Sequence, residues 1–425
     1  MDQKYKQDGQ LNALQIAYLV QQFPPEVGAG AARAGEMVSH WQRRGASVLV
    51  FTGMPNRPQG VIQAQYRGRL SVEEEWNGAV VYRSWLYASP RHGFIRTLAN
   101  GVSFMVSSAI ALLMTRKKID VLIASSPPWF PHFGGWLASR IRGVPLVLEV
   151  RDLWPDYLAE MGRLRSRALR AVVFRLEAGL LRSAARIVVV TESLGARIRE
   201  KGIPPERVIV IPNGVDPSQY HPAPDSPPLA EMTKASGEFL VGYLGNFGAG
   251  QNLEVILQAA QILARRTSRV RVVMAGDGTE RANIVRLAKH LGLPNLQIAP
   301  VLPKESTRSF YNTCDACLIP LAPLPSLTGA LPTKLFEALA CERPVILCAS
   351  GEAASLVVSA QAGMVARPGD PGALAGAIEQ MASCSEVDRA AMGKRGRRVV
   401  MERFSRKEAA DRFLDMLVET LHKPL

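Results

Sequence analysis

Two side chains of opposite charge stand three residues apart near the end of the chain. Lys334 and Glu337 lie within residues 332–341 (PTKLFEALAC), which predict a helix leading into a strand at 343–348. Residues three apart in a helix share nearly one face, so both side chains should point the same way. An ammonium suits an anionic group, and the two carboxylate oxygens can accept two hydrogen bonds. The alternative for Lys334 is an ordinary solvated helix residue.

Three glycine-rich turns could also bind an anionic group. Gly28 and Gly30 follow the first predicted strand and precede a helix, whose free N–H groups can bind an anion. Residues 243–253 (YLGNFGAGQNL) repeat the strand, turn and helix arrangement, and residues 275–278 (AGDG), with Gly276, repeat it again. The first turn does not complete the spaced dinucleotide fingerprint, so a plain tight turn is its alternative.

The elements that would position these residues follow a parallel α/β rhythm in two halves. Over residues 1–216, short apolar runs alternate with helical patterns, such as a strand at 14–20, a helix at 33–44 and a strand at 47–52. Residues 217–237 are rich in Pro, Ser and Asp, which indicates a linker. The rhythm restarts over residues 238–400, and a last helix within 401–425 either packs back toward the N-terminal domain or is an ordinary terminal helix.

The predicted fold class is therefore α/β, with two doubly wound Rossmann-like domains facing each other across a cleft. Such sheets bind ligands at the carboxyl ends of their strands. The chain has 425 residues, 47% of them hydrophobic, enough for two cores. Its first ten residues are polar and charged, so no secretory signal peptide is expected, and five cysteines in the second half suit reduced, buried thiols.

The formal net charge of +14 is concentrated in residues 1–220. Residues 98–114 are largely apolar and precede a basic triplet, while residues 163–186 interleave seven arginines with apolar residues. Neither segment reaches the roughly 20 apolar residues of a membrane span. Each could lie on an anionic membrane surface, or be core and solvated helix face respectively. Nucleic acid is a weaker fit because no binding module is recognisable.

The motifs together resemble the family-4 retaining glycosyltransferases of the GT-B fold, over roughly residues 14–420. The resemblance rests on the three glycine turns, residues 211–216 (IPNGVD), residues 332–341 and residues 151–156 (RDLWPD). The last hexapeptide is similar to the bacterial branch that builds O-antigen and capsule, and most resembles its L-fucosamine transferase type. The resemblance implies a cytoplasmic enzyme, peripheral at the inner face of the plasma membrane, whose acceptor is a lipid-linked saccharide.

Such enzymes transfer a sugar, here of hexosyl type, from a nucleoside diphosphate donor such as a UDP-sugar, without a metal ion or other cofactor. By resemblance, Lys334 contacts the diphosphate and Glu337, as second glutamate of the family's Glu-x7-Glu motif, accepts hydrogen bonds from the ribose. Asn246 and Gln251 replace the family's Arg and Lys, and Gly329 replaces its first glutamate. The implied donor-binding residues are Gly28, Gly30, Asn246, Gln251, Gly276, Thr328, Gly329, Lys334 and Glu337.

Residues 151–156 occupy the segment where many relatives place a histidine near the acceptor. The predicted catalytic residues are Asp152, as weak base or acceptor-positioning group, and Lys334. The acceptor would be bound by Glu26, Arg33 and Asp156. A helix cap is the alternative for Asp152, and His132 is expected to be structural.

The sequence is also compatible with two other functions. A nucleotide-sugar 2-epimerase of the same fold would turn over the donor alone. A non-catalytic membrane-associated scaffold is the second alternative, because Gly329, Asn246 and Gln251 replace charged residues of the family.

Overall fold

The computed structural model describes residues 14–26, 28–57, 59–91, 93–223, 229, 232–266 and 269–422. The chain divides into two compact units, residues 1–212 with 407–425, and residues 213–406. Both are α/β units built on a mainly parallel sheet, which confirms the predicted fold class. The predicted linker lies partly outside the described residues.

The first unit contains an eight-stranded sheet of order β3-β4-β2-β1-β5-β6-β7-β8, parallel except for the β3–β4 pair. Residues of one strand alternate between two cores, Ile16 and Tyr18 on one face and Ala17 and Leu19 on the other. The strands are β1 Gln15–Leu19, β2 Ser47–Gly53, β3 Ser71–Trp76, β4 Ala79–Ser84, β5 Val121–Ser126, β6 Leu146–Val150, β7 Arg186–Val189 and β8 Val208–Val210.

Helices cover both faces of this sheet. One face is packed by α1 and by the last helix of the chain, and the other by α2, α3, α5 and α6. The helices of the first half are α1 Ala29–Arg43, α2 Phe94–Met114, α3 Phe130–Arg142, α4 Trp154–Glu160, α5 Arg167–Ser183 and α6 Glu192–Glu200.

The β3–β4 hairpin was not predicted from the sequence. Its turn is Asn77-Gly78, and both residues have positive φ, of 46° and 83°. That pair is a strong two-residue hairpin signal, because positive φ at both turn positions matches the twist of the strands. The hairpin forms the edge of the first sheet.

The second unit contains a six-stranded parallel sheet of order β11-β10-β9-β12-β13-β14. Its strands are β9 Phe239–Leu244, β10 Val270–Ala275, β11 Leu296–Ile298, β12 Ala316–Pro320, β13 Val345–Cys348 and β14 Gly363–Ala366. Its helices are α7 Glu254–Arg265, α8 Arg281–Leu291, α9 Thr307–Thr313, α10 Thr333–Ala340, α11 Glu352–Ser359, α12 Pro371–Ser383 and α13 Glu386–Arg403. Chain order reverses beside β9, so the glycine turn after β9 lies at the sheet's switch point.

The last helix, α14 Arg406–His422, packs in the first unit. Its Phe413 ring lies 5.3 Å from that of Trp41, whose indole N–H donates to the Ala410 carbonyl, and His40 lies 2.7 Å from Asp411. Residues 213–216, assigned to the first domain from the sequence, belong instead to the second unit. The reason is that Val215 forms a parallel bridge with Ser405.

Candidate active site

Lys334 and Glu337 lie on α10 of the second unit. This helix buries Leu335, Phe336 and Leu339 in the core, which leaves Lys334 and Glu337 on its partly exposed side. The apolar spacing therefore fixes the direction of both polar side chains. The predicted shared face for the two residues is what the structure shows.

The ammonium of Lys334 is held against the glycine turn that follows β9. Its Nζ donates to Tyr243 Oη at 2.9 Å and to Gln251 Oε1 at 2.6 Å, and lies 4.3 Å from the centroid of the Tyr243 ring. The Tyr243 hydroxyl in turn donates to the backbone carbonyl of Asn246 at 2.7 Å. A residue of α10 is thereby positioned by the turn at residues 245–251.

The charge of Lys334 is poorly compensated. Over the parts of the chain that the structure describes, no carboxylate lies within 4 Å of its Nζ. Burial lowers the pKa of Lys334 to about 7, and the attraction of Glu337 only partly opposes this shift. A partly buried ammonium without an acidic partner gains most from an incoming anion.

Glu337 is held by tyrosines rather than by Lys334. The Tyr311 hydroxyl donates to Glu337 Oε2 at 2.7 Å, and Tyr220 also hydrogen-bonds the carboxylate. Burial raises the pKa of Glu337, while Tyr311, Arg406 and Lys334 oppose the shift. The Tyr311 contact fixes one oxygen, so the carboxylate is held in one orientation at the partly exposed side of α10.

The glycine turns after β9 and β10 meet beside Lys334 because backbone hydrogen bonds join them. Gly245 N donates to the Ala275 carbonyl at 3.0 Å, and Phe247 N donates to the Asp277 carbonyl at 2.7 Å. A Cβ on Gly276, whose φ is 143°, would overlap the Gly245 carbonyl. Glycine is therefore required for the close approach of the two turns.

Replacing Gly245 with Ala should weaken binding of an anionic ligand at Lys334. Gly245 has a φ of 147°, and an added Cβ would stand 3.0 Å from Lys334 Nζ. We expect about a tenfold rise in the UDP dissociation constant by titration calorimetry, from backbone strain and displacement of the ammonium. The matched control is Gly376→Ala, because a Cβ there meets nothing within 4 Å. Unchanged UDP affinity in Gly245→Ala would contradict this prediction.

Arg281, at the start of α8, lies near the site but was not predicted as a site residue. Its guanidinium donates to the carbonyls of Gly276 and, at 3.1 Å, Ala299, and its Cζ lies 5.5 Å from the centroid of the Phe247 ring. Its position, three residues after the glycine turn at 275–278, was the sequence feature that could have predicted it. This side chain braces the second glycine turn and adds positive charge there.

The loop before α10 carries Thr328 and Gly329. It is tied to the first glycine turn of this unit because Ala322 N donates to the Gly250 carbonyl at 2.9 Å. At its other end, the Thr328 carbonyl accepts a hydrogen bond from Glu352 N at 2.9 Å. Thr328 is exposed and Gly329 partly exposed, so the loop keeps surface available for a ligand.

In the first unit, Gly28 and Gly30 lie at the start of α1, as predicted. A Cβ on Gly30 would stand 3.5 Å from the Arg151 guanidinium, which also donates to the Ser126 carbonyl at 2.9 Å. Asp152 is exposed and follows Arg151. Although the residue as a whole is exposed, desolvation by neighbouring atoms raises the pKa of its carboxyl. The positive charge of Arg151 opposes this shift. The capping alternative for Asp152 is not observed, because α4 begins after Leu153 without a side-chain cap.

Two predicted acceptor-binding residues are engaged inside the first unit. Glu26 is buried, and its Oε1 accepts from the backbone N–H groups of Asn56 at 2.9 Å and Arg57 at 3.0 Å. Arg33 is 3% exposed and pairs with Glu149 at 2.8 Å. Glu26 thus fixes the loop after β2, and Arg33 compensates a buried carboxylate, while their acceptor-binding roles stay predictions.

Asp156 also belongs to an internal ion network. Its two oxygens each lie 2.8 Å from a cation, Arg197 and Lys201, and Lys201 also pairs with Glu177 at 2.5 Å. Both carboxylate oxygens therefore already have partners, and the acceptor-binding role of Asp156 stays a prediction. The network joins α4, α5 and α6.

Replacing Asp156 with Asn should lower stability without changing ligand binding. We expect a loss of about 2 kcal/mol in the free energy of unfolding, because two cations lose a partly buried partner. Urea denaturation would measure it, with Glu192→Gln as control, since that side chain is 72% exposed and 3.7 Å from Arg199. Full stability together with weakened acceptor binding would contradict this expectation and support the predicted acceptor role.

His132 lies in the first turn of α3, the helix that follows β5, and is buried. Burial lowers its pKa to about 4, so the ring is neutral at pH 7, and Nε2 lies 3.3 Å from the Glu149 carbonyl. The structural role expected from the sequence agrees with these contacts.

Two family models match most of the chain. Residues 28–214 match the glycosyl transferase 4-like domain, and residues 230–399 match the glycosyl transferases group 1. The chain is a family-4-type glycosyltransferase with a GT-B fold. Residues 215–229 separate the two models, and the second model contains Lys334, Glu337 and both glycine turns beside them.

Curated relatives and solved structures are similar to this glycosyltransferase along most of its length. The putative colanic acid biosynthesis glycosyl transferase WcaI of Escherichia coli is 27% identical, covering 75% of this chain and 79% of its own. The probable glycosyltransferase WbjE of Pseudomonas aeruginosa is 23% identical, covering 76% and 81%. HepE of Anabaena, in complex with UDP and glucose, has a TM-score of 0.69 at 18% identity, covering 95% and 99%.

Proposed function

We propose that this glycosyltransferase moves a hexose-type sugar from a UDP-sugar to a lipid-linked saccharide, with retention of configuration and without a metal ion. The observation that carries the proposal is the poorly compensated ammonium of Lys334, held against the glycine turn after β9 on the same helix face as Glu337. A cation for a diphosphate and a fixed carboxylate for two ribose hydroxyls suit the two halves of a nucleoside diphosphate.

The chain's own residues would supply the charge that the reaction needs. As the bond between the sugar C1 and the diphosphate oxygen breaks, negative charge grows on the leaving phosphate, where Lys334 and the amides of the glycine turns stabilise it. The acceptor hydroxyl oxygen forms the new bond to C1 on the same face, which retains configuration. Its proton passes to the leaving phosphate, and Asp152 would orient that hydroxyl.

The relatives support the biological setting of this proposal. WcaI is named for colanic acid biosynthesis, and a 26% identical Escherichia coli relative is named O-antigen chain mannosyltransferase C. HepE has been solved with UDP-glucose. These names favour a UDP-sugar and a role in bacterial surface polysaccharide, and the RDLWPD hexapeptide favours the L-fucosamine transferase type.

The test is a transfer assay on the purified chain. UDP-sugars and other nucleotide sugars are offered with polyprenyl diphosphate-linked saccharides, with and without EDTA, and the anomeric configuration of the product is read by NMR. We expect transfer with retention that EDTA leaves unchanged. Turnover of donor alone would support the epimerase alternative, and absence of both nucleotide binding and transfer would overturn the proposal.

A further inference from the structure

One side of α2 presents apolar residues to solvent along its whole length. Six side chains spaced three or four apart are each 39–79% exposed: Ile95, Leu98, Val102, Val106, Ile110 and Met114. The opposite side is buried, with Phe104 and Leu112 fully inside the core. The helix has 21 residues, longer than the 17 read from the sequence, and it is the one described helix long and apolar enough to span a bilayer. Because Phe104 and Leu112 on its opposite side pack in the core, the helix is placed to lie on a surface instead.

The apolar surface continues onto neighbouring segments. Helix α3 packs against α2 at Gly134, where an added Cβ would stand 3.1 Å from the Met105 carbonyl, and it exposes Trp136, Leu137 and Ile141. The segment after β4 is bonded along α2 by Ser107 Oγ, which donates to the Trp85 carbonyl at 2.6 Å. Trp85, Tyr87 and Trp136 are each 39% exposed, and such aromatic side chains favour the boundary between water and hydrocarbon.

Positive charge accompanies this surface. Helix α5, on the same face of the sheet, exposes Leu169, Val172 and Leu176 at about half of their surface. Residues 94–142 and 161–186 together contain 13 Lys and Arg against two acidic residues. Both acids are already paired, Asp120 with Lys118 at 2.8 Å and Glu177 with Lys201. The exposed cations therefore lie beside apolar side chains with little negative charge to repel an anionic partner.

We infer that the outer face of α2, α3 and α5 is a docking surface for an anionic lipid bilayer. Its apolar residues enter the headgroup boundary, and its arginines and lysines meet lipid phosphates. A bilayer fits better than a protein partner because the surface combines an apolar strip, interfacial aromatic residues and a local excess of positive charge. This goes beyond the sugar-transfer proposal, because binding to lipid requires neither donor nor acceptor.

The test is sedimentation of the full chain with vesicles, in the absence of nucleotide and acceptor. The vesicles contain phosphatidylcholine alone or with about one-third phosphatidylglycerol, a typical anionic fraction for such tests. We expect binding to the anionic vesicles that is weakened at high salt, and little binding to phosphatidylcholine. Val106→Glu/Ile110→Glu should reduce vesicle affinity by at least about tenfold. The matched control, Val358→Glu/Val387→Glu, changes two exposed apolar residues of the second unit and should bind normally.

A charge variant keeps the inference testable if the apolar variant misfolds. Replacing three exposed arginines of α5 by Gln (Arg167, Arg170 and Arg175) should reduce affinity for anionic vesicles about a hundredfold. Replacing Lys394, Arg398 and Arg403 of α13 by Gln is its control. Failure of the wild type to sediment with anionic vesicles would overturn the inference. So would unchanged binding in both surface variants, or a dimer of the chain that the Val106→Glu/Ile110→Glu variant dissociates without any vesicle binding.

Discussion

Replacing Glu337 with Ala should raise the dissociation constant for UDP by about a hundredfold, the loss expected when two hydrogen bonds to a charged group disappear. The carboxylate is already oriented by Tyr311 at 2.7 Å, so little ordering is needed when ribose hydroxyls donate to it. Glu337→Gln should be intermediate, because an amide keeps one acceptor oxygen. Titration calorimetry with UDP and with UMP measures both variants.

Glu402→Ala is the matched control, since Glu402 is an exposed acid of the same unit. Tyr311→Phe tests the positioning of the carboxylate: the phenyl ring preserves packing but releases Glu337 Oε2. A smaller loss than that of Glu337→Ala, seen in KM for the donor rather than in kcat, is the expected result. Normal UDP binding by a folded Glu337→Ala protein would remove the ribose assignment.

Replacing Lys334 with Met should lower kcat/KM for the donor by about two to three orders of magnitude, as when a group stabilising transition-state charge is removed. Met keeps an unbranched apolar side chain but removes the ammonium, which lies over the Tyr243 ring. Lys394→Met, at an exposed position of α13, is the control. Equal losses in kcat and in kcat/KM would indicate that Lys334 acts mainly in the transition state.

The lowered pKa of Lys334 gives this variant a distinct pH signature. With a pKa of about 7, the ammonium is protonated below pH 7 and loses its proton above it. UDP affinity should therefore fall as pH rises from 7 to 9 in the wild type and stay flat in Lys334→Met. Stability should change in the opposite direction, because the unfolded state binds more protons between pH 7 and the ordinary pKa of Lys. A flat wild-type affinity profile would contradict the role of the ammonium.

The parallel strands and several helices could be predicted because their local patterns agree with their final environment. The strands predicted at residues 14–20 and 47–52 and the helix predicted within 332–341 lie within one residue of their observed bounds, since each is a short buried run or a clear amphipathic period. The β3–β4 hairpin was missed because Ser71–Trp76 carries three glutamates on an edge strand, where polar residues are tolerated. The Asn77-Gly78 turn was its signal.

The candidate site was predictable only where a residue's type and its helical position decide its direction. The direction of Lys334 and Glu337 could be predicted from the apolar side of α10. The positions of the glycine turns could be predicted from the ends of the strands. The internal contacts of Glu26, Arg33 and Asp156 could not be predicted, because a charged residue near a strand end gives the same sequence pattern whether it meets a ligand or a buried partner. Their partners, residues 56, 149 and 197, lie 30 or more positions away in sequence.

By itself, the sequence determined two α/β units, glycine turns at the ends of strands, and a cation and a carboxylate on one helix face, because these depend on periodicity and backbone geometry. Tertiary structure decided which charges remain available. Glu149 compensates Arg33, and Arg197 and Lys201 compensate Asp156. Among the described residues, the ammonium of Lys334 instead contacts a hydroxyl, an amide oxygen and a ring. It also aligned the exposed faces of α2, α3 and α5. Contacts between residues distant in sequence decide which charges are paired and which helix faces stay exposed. A buried charge without a partner is costly, so most buried charges in a fold are paired.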